Sequence, residues 1–187
     1  MKKLLLTFAA ALLVSFFASA QKKYSVYAVG FYNQENLFDT CHDEGKKDYD
    51  FLPNGSYHWD GLKYSHKLHN MARALADMGT DVLPNVGCAM IGLSEVENAK
   101  VLTDLVNQPA LKARNMQFVH IEGPDKRGID CAMLYNPALF KLESDTLYQY
   151  VQELEKDSAF KTRGFLTIHG RLADEPVTVI VCHWPSR

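Results

Sequence analysis

The 187-residue sequence lacks a net positive charge, internal repeats, low-complexity tracts and an obvious linker. Its 20 Lys and Arg residues are outnumbered by 22 Asp and Glu residues, which gives a formal net charge of −2. Because nonspecific nucleic-acid binding needs a basic field, this balance excludes a broad electrostatic binder but leaves room for a local basic patch. The length without a linker favours one core rather than two large domains.

The four cysteines have no spacing typical of a zinc site. Cys41 stands next to His42 in a polar loop, where one Cys and one His are more typical of solvated residues than of a metal centre. Cys88, Cys131 and Cys182 lie in apolar, strand-like runs, where a free thiol behaves as a small hydrophobic group. In an exported chain the four can also pair as disulfides in three ways, so both states are open.

No apolar run beyond the N-terminus is long enough to span a bilayer. At the N-terminus, an apolar run of about 15 residues follows Lys2 and Lys3 and ends at Ala18-Ser19-Ala20, which suits a signal peptidase. We predict a signal peptide over residues 1–20 and a mature chain over residues 21–187, exported to the periplasm or the medium without stable membrane association. An uncleaved anchor is the alternative. Loss of the two lysines moves the net charge from −2 to −4.

Hydrophobic periodicity predicts an alternation of strands and helices, followed by hairpins. Strands are expected over residues 24–32, 88–93, 118–121, 130–135, 139–150, 165–172 and 177–182. Helices are expected over residues 62–78, ending at Gly79, and over residues 99–106, before Pro109. Asn136-Pro137 and residues 173–176 are typical of hairpin turns. This order favours an α/β sandwich with mixed sheets.

Polar side chains follow three of the apolar strands, namely Asn33, Glu95 and His183. Sites in α/β folds commonly lie beyond strand ends, so these side chains are expected to converge if their strands are parallel neighbours. Glu95 and Asn33 offer the hard oxygen ligands that Mg²⁺ prefers. Glu97 is an alternative ligand, because a strand would place it on the same face as Glu95. An ordinary surface carboxylate is the other interpretation of Glu95.

His183 and Arg127 are the remaining candidates for chemistry. An imidazole at a strand end can donate to a phosphate oxygen or relay a proton near neutral pH, although a histidine beside Trp184 also suits a packed, hydrogen-bonded position. Arg127 can clamp a phosphate with two hydrogen bonds, and Gly128 would allow the close approach. An ordinary charged turn fits the same composition.

Four segments, in order, resemble the motifs of the endonuclease/exonuclease/phosphatase family of Mg²⁺-dependent phosphodiesterases and phosphatases. They are residues 31–39 (FYNQENLFD), 92–98 (GLSEVEN), 127–130 (RGID) and 183–187 (HWPSR). The predicted helix around residues 64–68 resembles the segment between the first two motifs. The resemblance implies a four-layer α/β sandwich of two mixed sheets with helices outside, and in-line attack of water on phosphorus.

The same resemblance implies a role for each matching residue. Glu95 is expected to be the principal metal ligand, and Asn33 to orient the phosphate and the metal shell. His183 is expected to hydrogen-bond the scissile phosphate. The substrate-binding residues implied are Arg127, Asn36 and Asp130. The expected cofactor is Mg²⁺, with Mn²⁺ and Ca²⁺ as alternatives.

An Asp-x-Asn motif and the later Asp-His pair that supplies the general base are expected after the motif at His183 and are not found there. The sequence therefore resembles the N-terminal half of the domain, and we expect an incomplete sandwich with weak or no hydrolysis of phosphate esters by this chain alone. A non-catalytic metal- or phosphate-binding module of the same fold is the alternative. The sequence leaves open whether the ester is a nucleic acid or a small molecule, and the oligomeric state. Either a basic stripe or a solvated helix face fits the basic residues near the first loop and helix, namely Lys46, Lys47, Lys63, His66 and Lys67.

Overall fold

The computed structural model describes residues 24–149 and 163–184. The predicted signal peptide over residues 1–20 lies outside the described residues, as do residue 150 of one predicted strand and residues 185–187 of the last motif. Within the described part, no helix is both long and apolar enough to cross a membrane.

A four-stranded mixed sheet forms the central layer, with the strand order β1-β2-β4-β3. Strand β1 (Ala28–Leu37) runs parallel to β2 (Cys88–Val96). Strand β4 (Asp130–Tyr135) is antiparallel both to β2 and to β3 (Gln117–His120). Strands β1 and β2 extend further than predicted, to Leu37 and Val96, and thus include the polar residues expected to follow them.

A second, antiparallel sheet has the strand order β5-β6-β7. It consists of β5 (Phe140–Tyr148), β6 (Phe165–Leu172) and β7 (Glu175–Val181). Ala173 and Asp174 connect β6 to β7 with φ values of 52° and 64°, which suits a tight two-residue hairpin turn. The predicted hairpin across residues 173–176 is confirmed.

The hairpin predicted at Asn136-Pro137 is wrong, because β4 and β5 lie in different sheets. The carbonyl of Asn136 accepts from the amides of Leu139 and Phe140, both at 2.9 Å, so the chain does turn sharply here. Phe140 then enters the layer between the sheets, where its ring lies 5.8 Å from that of Tyr135. Burial of this large ring favours a crossing to the second sheet over a return along the first.

Three α-helices of the described residues belong to the layer on the outer face of the mixed sheet. They are α1 (Gly61–Asp77), α2 (Ala99–Val106) and α3 (Pro109–Lys112), and a short 3-10 helix (Tyr49–Phe51) lies in the loop after β1. The side chains of Asp60 and Asn98 accept hydrogen bonds from the first turns of α1 and α2, which fixes where both helices begin. Gly79, at φ 73°, ends α1 as predicted.

Successive side chains along the strands of the mixed sheet point to opposite faces, so two apolar cores form, one on each face. Ile91 and Leu93 of β2 pack with the helices, whereas Met90 packs with the second sheet. Phe140 and Ile168 fill the layer between the sheets from the other side. The described residues therefore form a layer of helices, a mixed sheet and an antiparallel sheet, and the predicted α/β sandwich is confirmed.

Gly92 of β2 lies where Val181 of the second sheet packs closely against the mixed sheet. A Cβ atom at this position would lie 3.1 Å from the ring of Phe31 and 3.3 Å from the side chain of Val181. Because a glycine lets β7 come this near, the residues that follow Val181 can reach the end of β2.

The four cysteines are free thiols in the described residues, so no disulfide supports the fold. Cys88 and Cys131 are buried, and burial raises the pKa of Cys88 and raises that of Cys131 to about 12. Cys41 is exposed. Only the thiolate is a good nucleophile, so the two buried thiols should be inert.

We predict that iodoacetamide labels Cys41 of the native chain first and leaves Cys88 and Cys131 unmodified until the chain unfolds. Mass spectrometry after labelling in native buffer checks the order. As a control, labelling in denaturant without reductant should add four labels, one for each cysteine. Two labels in denaturant would reveal a disulfide and contradict the prediction.

Candidate active site

The site lies where the parallel strands β1 and β2 end. The register shifts between Asn33 and Leu37, because β1 is irregular there. Within this segment Glu35 and Asn36 have φ values of 51° and 62°, and Glu95 on β2 has a φ of 60°. Residues other than glycine rarely adopt this left-handed region, and such backbone strain is concentrated at functional sites.

Hydrogen bonds from three directions hold the strained segment of β1. The Asn33 side-chain oxygen accepts from the Glu35 amide at 2.9 Å. The ammonium of Lys67 on α1 donates to the Glu35 carbonyl at 2.5 Å. The Asn36 amide donates to Glu95 Oε2 at 2.9 Å. The backbone of β1 therefore orients the carboxylate predicted to bind the metal.

His183 reaches the same carboxylate from the second sheet. Its Nε2 lies 3.0 Å from Glu95 Oε1, and both side chains are partly buried, at 23% and 15% exposure. Because the ionised carboxylate only accepts, Nε2 carries the proton and donates. Glu95 and His183 are therefore in contact, and Asn33 lies on the neighbouring strand, where it pairs with Ser94. His183, however, comes from the facing sheet rather than from a parallel neighbour of β2.

Arg127 lies on the loop between β3 and β4. Its amide donates to Asp125 Oδ1 at 2.8 Å, and its Nε lies 3.8 Å from the same oxygen. Gly128 has a φ of 77°, which favours glycine, and a Cβ atom there would lie 3.2 Å from the side chain of Lys46. The backbone of this loop is therefore fixed, while the Arg127 side chain is 53% exposed and accessible to an anion.

Arg163, which the sequence analysis did not single out, connects the Arg127 loop to His183. Its Nε donates to Asp125 Oδ2 at 3.2 Å and its Nη1 donates to the His183 carbonyl at 3.5 Å. The Arg163 side chain is only 9% exposed. No motif marks this arginine in the sequence, because its partners are distant along the chain and meet only in the fold.

Asp130 opens β4 and is buried. Its Oδ1 accepts from the Gly123 amide at 3.0 Å, and its Oδ2 lies 3.1 Å from Nε2 of His120. A Cβ atom on Gly123 would lie 2.4 Å from Asp130 Oδ1, so the loop closes onto the carboxylate without room for a side chain. The structure thus places this predicted substrate-binding residue in contact with the base of the Arg127 loop.

His120, Glu122 and Asp130 form a possible acidic and histidine metal site. Their donor atoms lie within 4.8 Å of one another. Lys46 Nζ also lies 2.7 Å from Glu122 Oε1. The sequence analysis missed His120 and Glu122, although their position one residue apart in and just after a predicted strand was a weak signal. This cluster is therefore a second candidate beside Glu95, the metal ligand expected from the sequence.

Glu97 has surroundings quite different from those of Glu95. It is buried, and its Oε2 accepts from the Asp39 amide at 2.6 Å. Its Oε1 has no hydrogen-bond partner among the described residues. Burial raises the pKa of Glu97 to about 8. This carboxyl group holds the loop after β1, whereas Glu95 contacts Asn36 and His183.

These features define a class of protein: an α/β sandwich with a carboxylate and a histidine at one edge, next to an arginine loop. The sequence model of the endonuclease/exonuclease/phosphatase family matches residues 28–187. The chain therefore belongs to this family, and the resemblance seen in the sequence motifs is confirmed over most of the chain. Metal-dependent hydrolysis of phosphoesters is the chemistry of the family. A search of curated proteins found no match.

Comparison with solved structures gives partial matches, three of which follow. ANGEL2, a 2',3'-cyclic phosphatase, matches with a TM-score of 0.48 and 14% identity over 64% of this chain and 31% of that chain. TDP2 from Caenorhabditis elegans has a TM-score of 0.42 and 16% identity over 68% and 33%. The human Nocturnin catalytic domain with bound sulfate has a TM-score of 0.34 and 16% identity over 50% and 35%. The chain thus spans about a third of the length of each.

We predict that Asp125 and Arg163 contribute jointly to stability. Replacing either with alanine leaves the other charge poorly compensated in a largely buried position, so the two losses should not add. A double-mutant cycle by urea denaturation should give a coupling of about 1–3 kcal/mol. Lys126→Ala, on an exposed side chain of the same loop, is the control and should not couple to Arg163. Additive losses for Asp125 and Arg163 would contradict the prediction.

A second prediction concerns Glu97. Glu97→Ala removes the oxygen that accepts from the buried Asp39 amide, which should cost about 1–3 kcal/mol of unfolding free energy. Glu97→Gln keeps a neutral acceptor of the same shape and should lose less. Urea denaturation in a buffer with chelator measures both variants. Equal losses in the two variants would show that the hydrogen bond to Asp39 is not what Glu97 contributes.

Proposed function

We propose that this chain is a Mg²⁺-dependent hydrolase of phosphate esters that is only weakly active by itself. The observation that carries the proposal is the Glu95 carboxylate, which sits between the Asn36 amide at 2.9 Å and His183 Nε2 at 3.0 Å. A carboxylate, an imidazole and an accessible arginine are groups that bind a metal ion and a phosphate in phosphoester hydrolysis. Membership in the family supports the same assignment.

Glu95 and Asn33 fit a hard divalent cation. A carboxylate and an amide oxygen from neighbouring strand ends leave most coordination positions to water and substrate, as Mg²⁺ prefers, and Mn²⁺ or Ca²⁺ accept the same donors. Each Glu95 oxygen accepts one hydrogen bond from the described residues and keeps a second lone pair for a cation. When bound, the cation would supply Lewis-acid polarisation of a phosphoryl oxygen.

His183 and Arg127 would act on the substrate directly. His183 holds a proton at Nε2, beside Glu95, from where it can donate to a phosphate oxygen. Arg127 has an exposed guanidinium that can bind phosphate oxygens in bidentate fashion. Asp125 fixes the backbone of Arg127 and, through Arg163, approaches the carbonyl of His183. These hydrogen bonds connect the loop that carries Arg127 to the backbone of His183.

We propose an anionic ester outside the cytoplasm as the substrate, following the predicted signal peptide. A local basic surface supports a nucleic acid: α1 carries Lys63, Lys67 and Arg73, with His66, against the single acidic residue Asp77. Such a surface attracts a polyanion even on a chain of net negative charge. A small phosphate ester is the alternative, since it needs only the compact site.

The test is Glu95→Gln, which keeps the shape of the side chain but removes the anionic ligand. Isothermal titration with Mg²⁺ should show affinity at least about tenfold weaker, since first-sphere charge dominates binding of a hard cation. Hydrolysis of bis-nitrophenyl phosphate that requires Mg²⁺ should fall about 100-fold or more. Glu175→Gln, at the opposite end of β7, is the matched control and should change neither.

Equal Mg²⁺ affinity in the wild type and Glu95→Gln, or hydrolysis that persists with chelator, would overturn the proposal. Mg²⁺ and phosphate-ester binding without any hydrolysis would instead favour the non-catalytic binding module. Comparison of a single-stranded oligonucleotide with a small ester as competitor separates the two substrate classes.

A further inference from the structure

Lys67 lies beside the site without a role in the chemistry described above. It is half-buried on α1, although Lys63, one turn earlier, is exposed. Its ammonium donates to the carbonyl of Glu35 and lies 5.7 Å from the ring centre of Trp59. Removing a lysine side chain from water is unfavourable, so a half-buried ammonium needs partners of this kind.

Both partners of Lys67 are connected to the end of β1. Glu35 is the first of the two left-handed residues. Trp59 Nε1 donates to the Phe38 carbonyl at 3.0 Å, just beyond the end of that strand. The Lys67 ammonium therefore contacts the strained segment directly at Glu35, and it contacts Trp59, which bonds to Phe38 just after the strand.

The strained segment matters because it delivers one hydrogen bond. Consecutive left-handed residues that are not glycine are unfavourable and persist only where their surroundings hold them. In this conformation the Asn36 amide points at Glu95 Oε2, at 2.9 Å. If Glu35 and Asn36 relaxed to an ordinary extended strand, this amide would change direction and Glu95 would lose one of its two described partners.

We propose that Lys67 is a positioning residue for the Glu95 carboxylate, acting through the Glu35 carbonyl and the left-handed turn. Lys67 fixes the turn, the turn aims the Asn36 amide, and the amide sets the orientation of Glu95. The link from Glu95 to a metal rests on the proposed function. The link from Lys67 to the Asn36 amide does not.

The direct test measures amide hydrogen exchange by NMR in the metal-free chain. Lys67→Met keeps the apolar stem and removes the ammonium, and the Asn36 amide should then exchange at least about tenfold faster. Lys67→Arg, which can still donate to the Glu35 carbonyl, should keep most of the protection. Lys63→Met is the matched control on the same helix and should leave the Asn36 amide unchanged.

Amides of Ile91 and Leu93, in the interior of β2, report global stability in the same spectra. Faster exchange at Asn36 alone supports the proposal. Unchanged protection at Asn36 in Lys67→Met, or a uniform loss that includes Ile91 and Leu93, would overturn it, because Lys67 would then stabilise only the fold.

Mg²⁺ titration distinguishes positioning from simple charge. If Lys67 were only a nearby positive charge, Lys67→Met would bind Mg²⁺ more tightly, because a repulsion is removed. Positioning predicts affinity about tenfold weaker, as for other residues that orient a metal ligand. Should the wild type bind no Mg²⁺ while Asn36 still depends on Lys67, the proposed function fails and the positioning role stands.

Discussion

The Glu95 carboxylate joins the two sheets at the edge where the motifs meet. One oxygen accepts from the Asn36 amide of β1, and the other accepts from His183, which follows β7 of the opposite sheet. The remaining site geometry depends on this pair of hydrogen bonds. Without them, the carboxylate and the imidazole would stay on separate layers, and the residues of the first, second and last motifs would not form one site.

Bringing these groups together has a structural cost that the fold offsets nearby. The first cost is the left-handed backbone at Glu35, Asn36 and Glu95, which is unfavourable for residues with side chains. The second is that position 92 must be a glycine for Val181 to approach, so no side chain there contributes to packing. The hydrogen bond that Asn33 accepts from the Glu35 amide and the one that Lys67 donates to the Glu35 carbonyl offset the first cost. Burial of the layer between the sheets offsets the second. The strained backbone thus lies where the chemistry is proposed, and Asn33 and Lys67 hold it through Glu35.

Local signals explain how much of this arrangement the sequence could predict. Helix α2 was predicted at its observed bounds, because its apolar residues repeat at helical spacing and Pro109 follows it. The β6–β7 hairpin followed from its turn residues. The chain reversal at Asn136-Pro137 was also a local property, but the sheet that β5 joins depends on where Phe140 is buried. Arg163 and His120 escaped prediction for the same reason: tertiary structure alone supplies their partners.

Electrostatics favours Glu95 over the cluster of His120, Glu122 and Asp130 as the main metal ligand. Asp130 is buried, and the Lys46 ammonium already lies 2.7 Å from Glu122 Oε1. A divalent cation there would have to displace the Lys46 ammonium from Glu122 and enter a buried position. The Lys67 ammonium donates to the Glu35 carbonyl and forms no ion pair with Glu95. The same carboxylate that joins the two sheets is therefore the one that can still attract a metal.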